Sequence, residues 1–191
     1  MIEPTFFQRD ALACARELIG CEFVHGTTGG VIIETEAYHE YGDEACHLFN
    51  RPSAREFAAK HPAGTAYVYL NYGMHWLTNV LCVDADSGEK GFVLLRALHP
   101  SRGIDLMKER RRKEKKRDLC SGPGKLTSAL GIGPEQHGQS TSAAMTFQFR
   151  KESSAFEIVD DRRVGISKAV DLPWRFLAKD HLGVSVAYGN A

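Results

Sequence analysis

The sequence predicts an α+β fold in which a mostly antiparallel sheet carries the chain and helices surround it. Three observations lead there. Short β-branched and aromatic runs at Tyr67–Leu70, Leu77–Val83 and Phe92–Ala97 are joined by turn-rich stretches, Asn71-Tyr72-Gly73 and Asp84–Gly91, not by βαβ crossovers. Helix-like patterns at 5–19 and 103–116 lie outside this block. The 191 residues contain no internal repeat, low-complexity tract or linker, so residues 1–191 are expected to form one domain.

In chain order, residues 5–19 read as an amphipathic helix. Thr5 and Gln8 form a capping-box pattern, Leu12, Leu18 and Ile19 supply an apolar side, and Gly20 is a stop. Cys21–His25 and Val31–Glu36 read as two strands of a hairpin closed by Gly26-Thr-Thr-Gly-Gly30. Strand alternation places Val31 and Ile33 on one face, with Ile32, Glu34 and Glu36 on the other. From His39 to Gly64 the pattern weakens, with a short helix over Asp43–His47 and a loop over Arg51–Arg55. After the three central strands, Gly103–Lys116 reads as a helix docked by Ile104 and Met107. Ser121-Gly-Pro-Gly-Lys125 reads as a tight loop into a short helix ending near Gly131. Residues 133–155 read as surface connections. Phe156–Val159, Arg163–Ile166, Trp174–Leu177 and Val184–Ala187 read as further strands.

Composition narrows the function classes. No apolar run approaches the roughly 18–20 residues of a membrane span and no signal peptide precedes Thr5, so the expectation is a cytoplasmic protein without a membrane partner. Cys14, Cys21, Cys46, Cys82 and Cys120 are odd in number and form no C-x-x-C pair, which supports reduced thiols over a disulfide framework or zinc ribbon. The net charge of zero hides an asymmetry. Residues 108–117 hold eight basic and two acidic side chains, a net of +6, leaving −6 on the rest. Such a run is either a solvated surface segment or an electrostatic footprint for a phosphate backbone. In the second case Arg110, Arg111 and Arg112 are candidate phosphate contacts, joined by Lys125 after its Gly-Pro-Gly turn.

Two anchors carry the candidate chemistry. Glu34 and Glu36 share a strand face and lead to Tyr38. Either both are ion-paired to arginines at a sheet edge, or one is a general base whose pKa the other raises, with Arg96 orienting a water. Tyr67, Tyr69 and Tyr72 read either as core and surface residues or as a base-stacking platform. Tyr72 is pushed outward by its turn, where an aromatic can wedge into a base stack. His39, Cys46, His47, His61 and His75 do not match a zinc spacing, so no metal is expected. A Walker A loop fails because Leu119 stands where glycine is needed and Leu126 where serine or threonine is needed. No G-x-S-x-G elbow is present for a serine hydrolase.

Several ordered blocks resemble one family. Glu34-Thr-Glu-Ala-Tyr38, Asp43-Glu-Ala-Cys-His47, Tyr67-Val-Tyr69, Tyr72-Gly-Met74, Asn79, Leu94-Leu-Arg-Ala-Leu98, Cys120-Ser-Gly-Pro-Gly-Lys-Leu126 and Arg163-Val-Gly165 are similar to those of the alkyladenine (3-methyladenine) DNA glycosylases, mammalian-type branch. The resemblance implies one domain around a curved antiparallel sheet. It implies that Glu36 activates water for attack on C1′ of the sugar, and that Arg96 and the Val164 carbonyl help hold that water. Tyr38, His47 and Tyr69 would sandwich a flipped base, Asn79 would disfavour the exocyclic amine of guanine, and Tyr72 would fill the gap in the duplex. It further implies double-stranded DNA bearing a damaged purine as partner, a monomer, no cofactor, and hydrolysis without lyase chemistry. Phe49–Phe57 departs from the family's usual Arg-Thr-Pro-Arg-Asn pattern.

Overall fold

The computed structural model describes residues 1–141, 147–150 and 156–191. Parts of the stretch read as surface connections, 142–146 and 151–155, lie outside the described residues. An open antiparallel sheet runs through the chain, formed by β1 (Glu22–His25), β2 (Thr28–His39), β3 (Ala66–Asn71), β4 (His75–Val83), β5 (Lys90–Arg102), β6 (Phe147–Arg150), β7 (Ile158–Asp161) and β8 (Arg175–Ala178). The strand order is β3-β4-β5-β2-β1-β6. The long β2 takes β5 along one edge, and on the other edge β1 along its first half and β8 along Glu34–Glu36. The helices are α1 (Ala11–Glu17), α2 (His47–Asn50), α3 (Pro52–Lys60), α4 (Ile104–Arg111) and α5 (Pro123–Leu130). The predicted α+β class with a mostly antiparallel sheet is what the chain adopts.

Alternation along the central strands divides two environments. Val68, Val80, Val93, Leu95 and Ala37 join the main core, against which α1 packs and where Thr35 Oγ1 donates to the Ala15 carbonyl at 2.8 Å. Gly91 permits that packing, because a Cβ there would stand 2.6 Å from Ala11 Cβ. A smaller cluster, with Leu48, Ala54, Phe57, Tyr67, Leu81 and Phe92 at its centre, packs α2 and α3 against Tyr38 and Tyr69. Tyr67 and Phe92 stack there with centroids 4.6 Å apart.

Several local expectations are corrected. The first helix begins at Ala11, after a 3₁₀ turn over Pro4–Phe7, because Asp10 is the effective cap: its carboxylate accepts from the Leu12 and Ala13 amides at 2.9 and 3.0 Å. Strict alternation in β2 fails at register shifts between Ile32 and Thr35, so Ile32 and Ile33 both enter the core. The short helix starts at His47 instead of spanning 43–47, since Asp43 is held by Arg163. The expected loop at 51–55 is the start of α3, with Pro52 at the first helical position, where its missing N–H costs nothing. α4 stops at Arg111 because Arg112 is left-handed (φ 51°), which leaves 112–117, six of the ten residues of the basic run, off that helix. Phe147–Arg150 is a strand paired with β1, where a surface connection was expected. Arg163–Ile166 and Val184–Ala187 are not strands; the Val164 and Ser185 amides bond carboxylates instead of a ladder.

Candidate active site

Sheet register assembles the site. Tyr67 pairs with Asn79, Asn79 with Leu94, Leu94 with Glu36, and Glu36 with Arg175. These five residues form one row across five strands, and side chains opposite one another in a sheet project to the same face. The row runs beneath a cavity of about 440 Å³ whose walls include Tyr38, His47, Tyr69, Asn79, Arg96 and Val164. Tyr72 stands at the same cavity. Seven of the sequence-derived candidates thus come together around it.

Glu36 is fully buried behind that wall. Its Oε1 accepts the Val164 amide at 2.7 Å, and its Oε2 accepts the Tyr38 hydroxyl at 2.7 Å. Arg96 Nη1 lies 3.3 Å from Oε2. All three partners also line the cavity. Both acids are ion-paired to Arg96. Glu34 is the more fully engaged, accepting from Arg96 Nε (2.9 Å), Arg175 Nη1 (3.1 Å) and both the amide and hydroxyl of Ser185. Arg96 therefore stands between the two carboxylates instead of leaving them to repel. Burial opposes the charge of Arg96, but Glu36 and Glu34 outweigh it and hold its pKa above the usual arginine range.

The aromatic wall is uncharged at neutral pH. Burial, aided by Arg51, lowers the His47 pKa to about 4. Burial raises that of Tyr69 to about 12. His47 lies against Tyr69 with centroids 4.5 Å apart, and its Nδ1 is 3.2 Å from the Tyr67 hydroxyl. The Asn79 side-chain Nδ2 donates to the Tyr67 backbone carbonyl at 3.3 Å. At the β3–β4 turn, Tyr72 (φ 49°) and Gly73 (φ 68°) both have positive φ, as a type I′ hairpin turn requires. The turn leaves Tyr72 80% and Met74 70% exposed.

Five residues of the surrounding polar network, Asp43, Asp161, Arg163, Arg175 and Ser185, have no role in the sequence analysis. Arg163 clamps Asp43 through two bonds of 2.6 and 2.7 Å, both side chains fully buried, and carries Val164 next to it. Arg175 ties Glu34 to Asp161, and Ser185 bridges Glu34 and Arg96. The available signal was arginine inside apolar surroundings, Trp174-Arg-Phe-Leu177 being the plainest case.

The basic residues lie apart from this cluster. Lys125 is exposed, with Nζ 3.3 Å from Ser121 Oγ, at the start of an α5 whose Pro123 lines the cavity. Arg110 Nη1 donates to the Ala129 carbonyl at 3.1 Å and Arg111 Nε to the Leu119 carbonyl at 3.2 Å; Arg110 and Arg112 are exposed and Arg111 is half-buried. Among the described residues, no three His, Cys, Asp or Glu gather as metal ligands would, and no helix is long and apolar enough to cross a membrane.

Comparison with known proteins adds an independent finding. The profile of the methylpurine-DNA glycosylase family matches residues 5–182. A presumed 3-methyladenine DNA glycosylase of Agrobacterium fabrum is 49% identical over 175 residues, covering 92% of this chain and 87% of that protein. One from Rhodopseudomonas palustris is 45% identical, covering 92% and 83%. One from Nitrosospira multiformis is 41% identical, covering 92% and 90%.

Proposed function

The chain belongs to the methylpurine-DNA glycosylase family, and from that premise we propose that it excises alkylated purines, 3-methyladenine among them, from duplex DNA by hydrolysis. The carrying observation is the Glu36 carboxylate, buried directly behind the wall of an aromatic cavity and fixed there by three wall residues, Val164, Tyr38 and Arg96. A base stacked in a duplex is out of reach of such a buried acid, so the nucleotide must be flipped, which costs least at a damaged pair. Tyr72, exposed beside the cavity, is suited to fill the vacated stack. Tyr38 and the His47–Tyr69 pair offer aromatic faces for the flipped purine, and Asn79 stands in the wall as the discriminating residue.

Glu36 then acts as general base. It takes a proton from water as the oxygen attacks C1′, while the carboxylate also stabilises the oxocarbenium character of the transition state. Arg96 and the Val164 carbonyl orient that water, and Glu34, Arg175 and Ser185 hold Arg96 in place. The bond from C1′ to the purine nitrogen breaks, and a purine made cationic by alkylation leaves more readily. Water as nucleophile gives a free base and an abasic site with the strand intact. Lys125 and the Arg110–Arg112 run serve the phosphate backbone, with the protein acting as a monomer on DNA. Single-turnover assay of duplexes carrying 3-methyladenine, 7-methylguanine, hypoxanthine or an etheno adduct tests this. The expected product is free base, with strand cleavage only after alkali. Cleavage without alkali would contradict the hydrolytic mechanism.

A further inference from the structure

Tyr38 has a second neighbour with no part in water activation. The Arg163 guanidinium lies 4.6 Å from the Tyr38 ring centroid and 5.3 Å from that of Trp174. Arg163 is not in the cavity wall, whereas Tyr38 is, so the Tyr38 ring separates the guanidinium from the cavity. Asp43 neutralises the cation through its two short bonds, and the Ala37 carbonyl accepts from Nη1 at 3.1 Å. Neither charge reaches solvent.

A positive charge behind an aromatic ring opposes the attraction of its front face for another cation. A purine in van der Waals contact with the front of Tyr38 would stand roughly 8 Å from the guanidinium, close enough for a low-dielectric wall to transmit the effect. Purines alkylated at N3 or N7 are cationic, whereas hypoxanthine and etheno bases are neutral at pH 7. We propose that the buried Asp43–Arg163 pair sets how strongly the pocket favours cationic over neutral purines, with Arg163 lowering that preference and Asp43 restoring it. This rests on the glycosylase reading and adds a specificity determinant to it.

The test compares release of 7-methylguanine and hypoxanthine from otherwise identical duplexes. The proteins are wild type, Asp43→Asn, Arg163→Lys, and the double variant Asp43→Asn with Arg163→Gln. Asp43→Asn leaves the cation without its counter-charge, so the ratio of cationic to neutral release should fall about two- to fivefold. The double variant removes the cation and should raise the ratio by a similar factor. Arg163→Lys keeps the charge but loses the bidentate geometry, so both rates should fall together at a steady ratio. Parallel losses in every variant would overturn the proposal, because a merely structural pair moves both lesions alike. Asp43→Asn preserves shape and decides the sign even if the double variant does not fold. If wild type released neither base, the glycosylase reading would fail, and the same ratio read from binding of the two duplexes would still decide the role of the pair.

Discussion

At the scale of single residues, the site is a set of opposed demands met by hydrogen bonds. Glu36 is buried yet each oxygen accepts from a donor, and Glu34, two positions earlier, accepts Arg96 Nε and both donors of Ser185, whose hydroxyl in turn accepts Arg96 Nη2. His47 is the opposite case, kept neutral by burial. Its pKa of about 4 against 6.5 means that the unfolded chain binds this proton more readily between those values. Stability contributed by neutral His47 is therefore complete above pH 6.5 and is lost as pH falls toward 4. Urea unfolding of wild type and His47→Gln from pH 4 to 8 checks this. The wild-type curve should fall more steeply below pH 6.5 and run parallel to the variant above it; equal slopes throughout would contradict the assignment. Much at this scale was legible. Glu36 and Arg96 announce themselves as charges inside apolar strand patterns, and Tyr72 as a ring in a turn. Arg163 and Asp43 stand 120 positions apart, and no local pattern pairs them.

At the scale of elements, the wedge role proposed for Tyr72 and local stability pull in opposite directions at the β3–β4 turn. A tyrosine at φ 49° adopts a conformation that costs L-residues about 1–2 kcal/mol, and glycine would remove that cost. Tyr72→Gly should therefore stabilise the fold by about 1 kcal/mol. It should also slow release from a paired duplex at least about tenfold, with a smaller loss on single strands, where no stack needs filling. Thermal unfolding and base release on both substrates measure this; unchanged duplex activity would remove Tyr72 from the mechanism. The β3–β4 hairpin is legible because Asn71-Tyr72-Gly73 marks its turn, whereas 163–166 and 184–187 have strand-like composition without forming strands. Pro52 reads equally as a loop residue or a first helical residue, and only the burial of Ala54, Phe57 and Ala58 beneath it separates the two. In the same way, nothing in the run of arginines reveals that Arg112 turns left-handed and ends α4.

At the scale of the whole molecule, the basic run divides its labour. Arg110 and Arg111 each spend a donor on the Ala129 and Leu119 carbonyls, although Arg110 is itself exposed, and Arg112, Lys113 and Lys115 are exposed beyond the end of α4. Replacing those three by glutamine should flatten the dependence of log affinity on log salt by up to about 0.9 for each phosphate they neutralise, with unfolding unchanged. Arg110→Ala should cost about 1 kcal/mol of stability. An unchanged salt slope would show that the run lies away from the DNA. The sheet itself supplies the site's coherence: one row of residues across β3, β4, β5, β2 and β8 places Asn79, Glu36 and Arg175 on one face. The water activation proposed for Glu36 is tested by Glu36→Gln assayed beside wild type for lesion-DNA binding and for single-turnover base release. Near-normal binding with release abolished is expected. Release at the wild-type rate by the variant would contradict it.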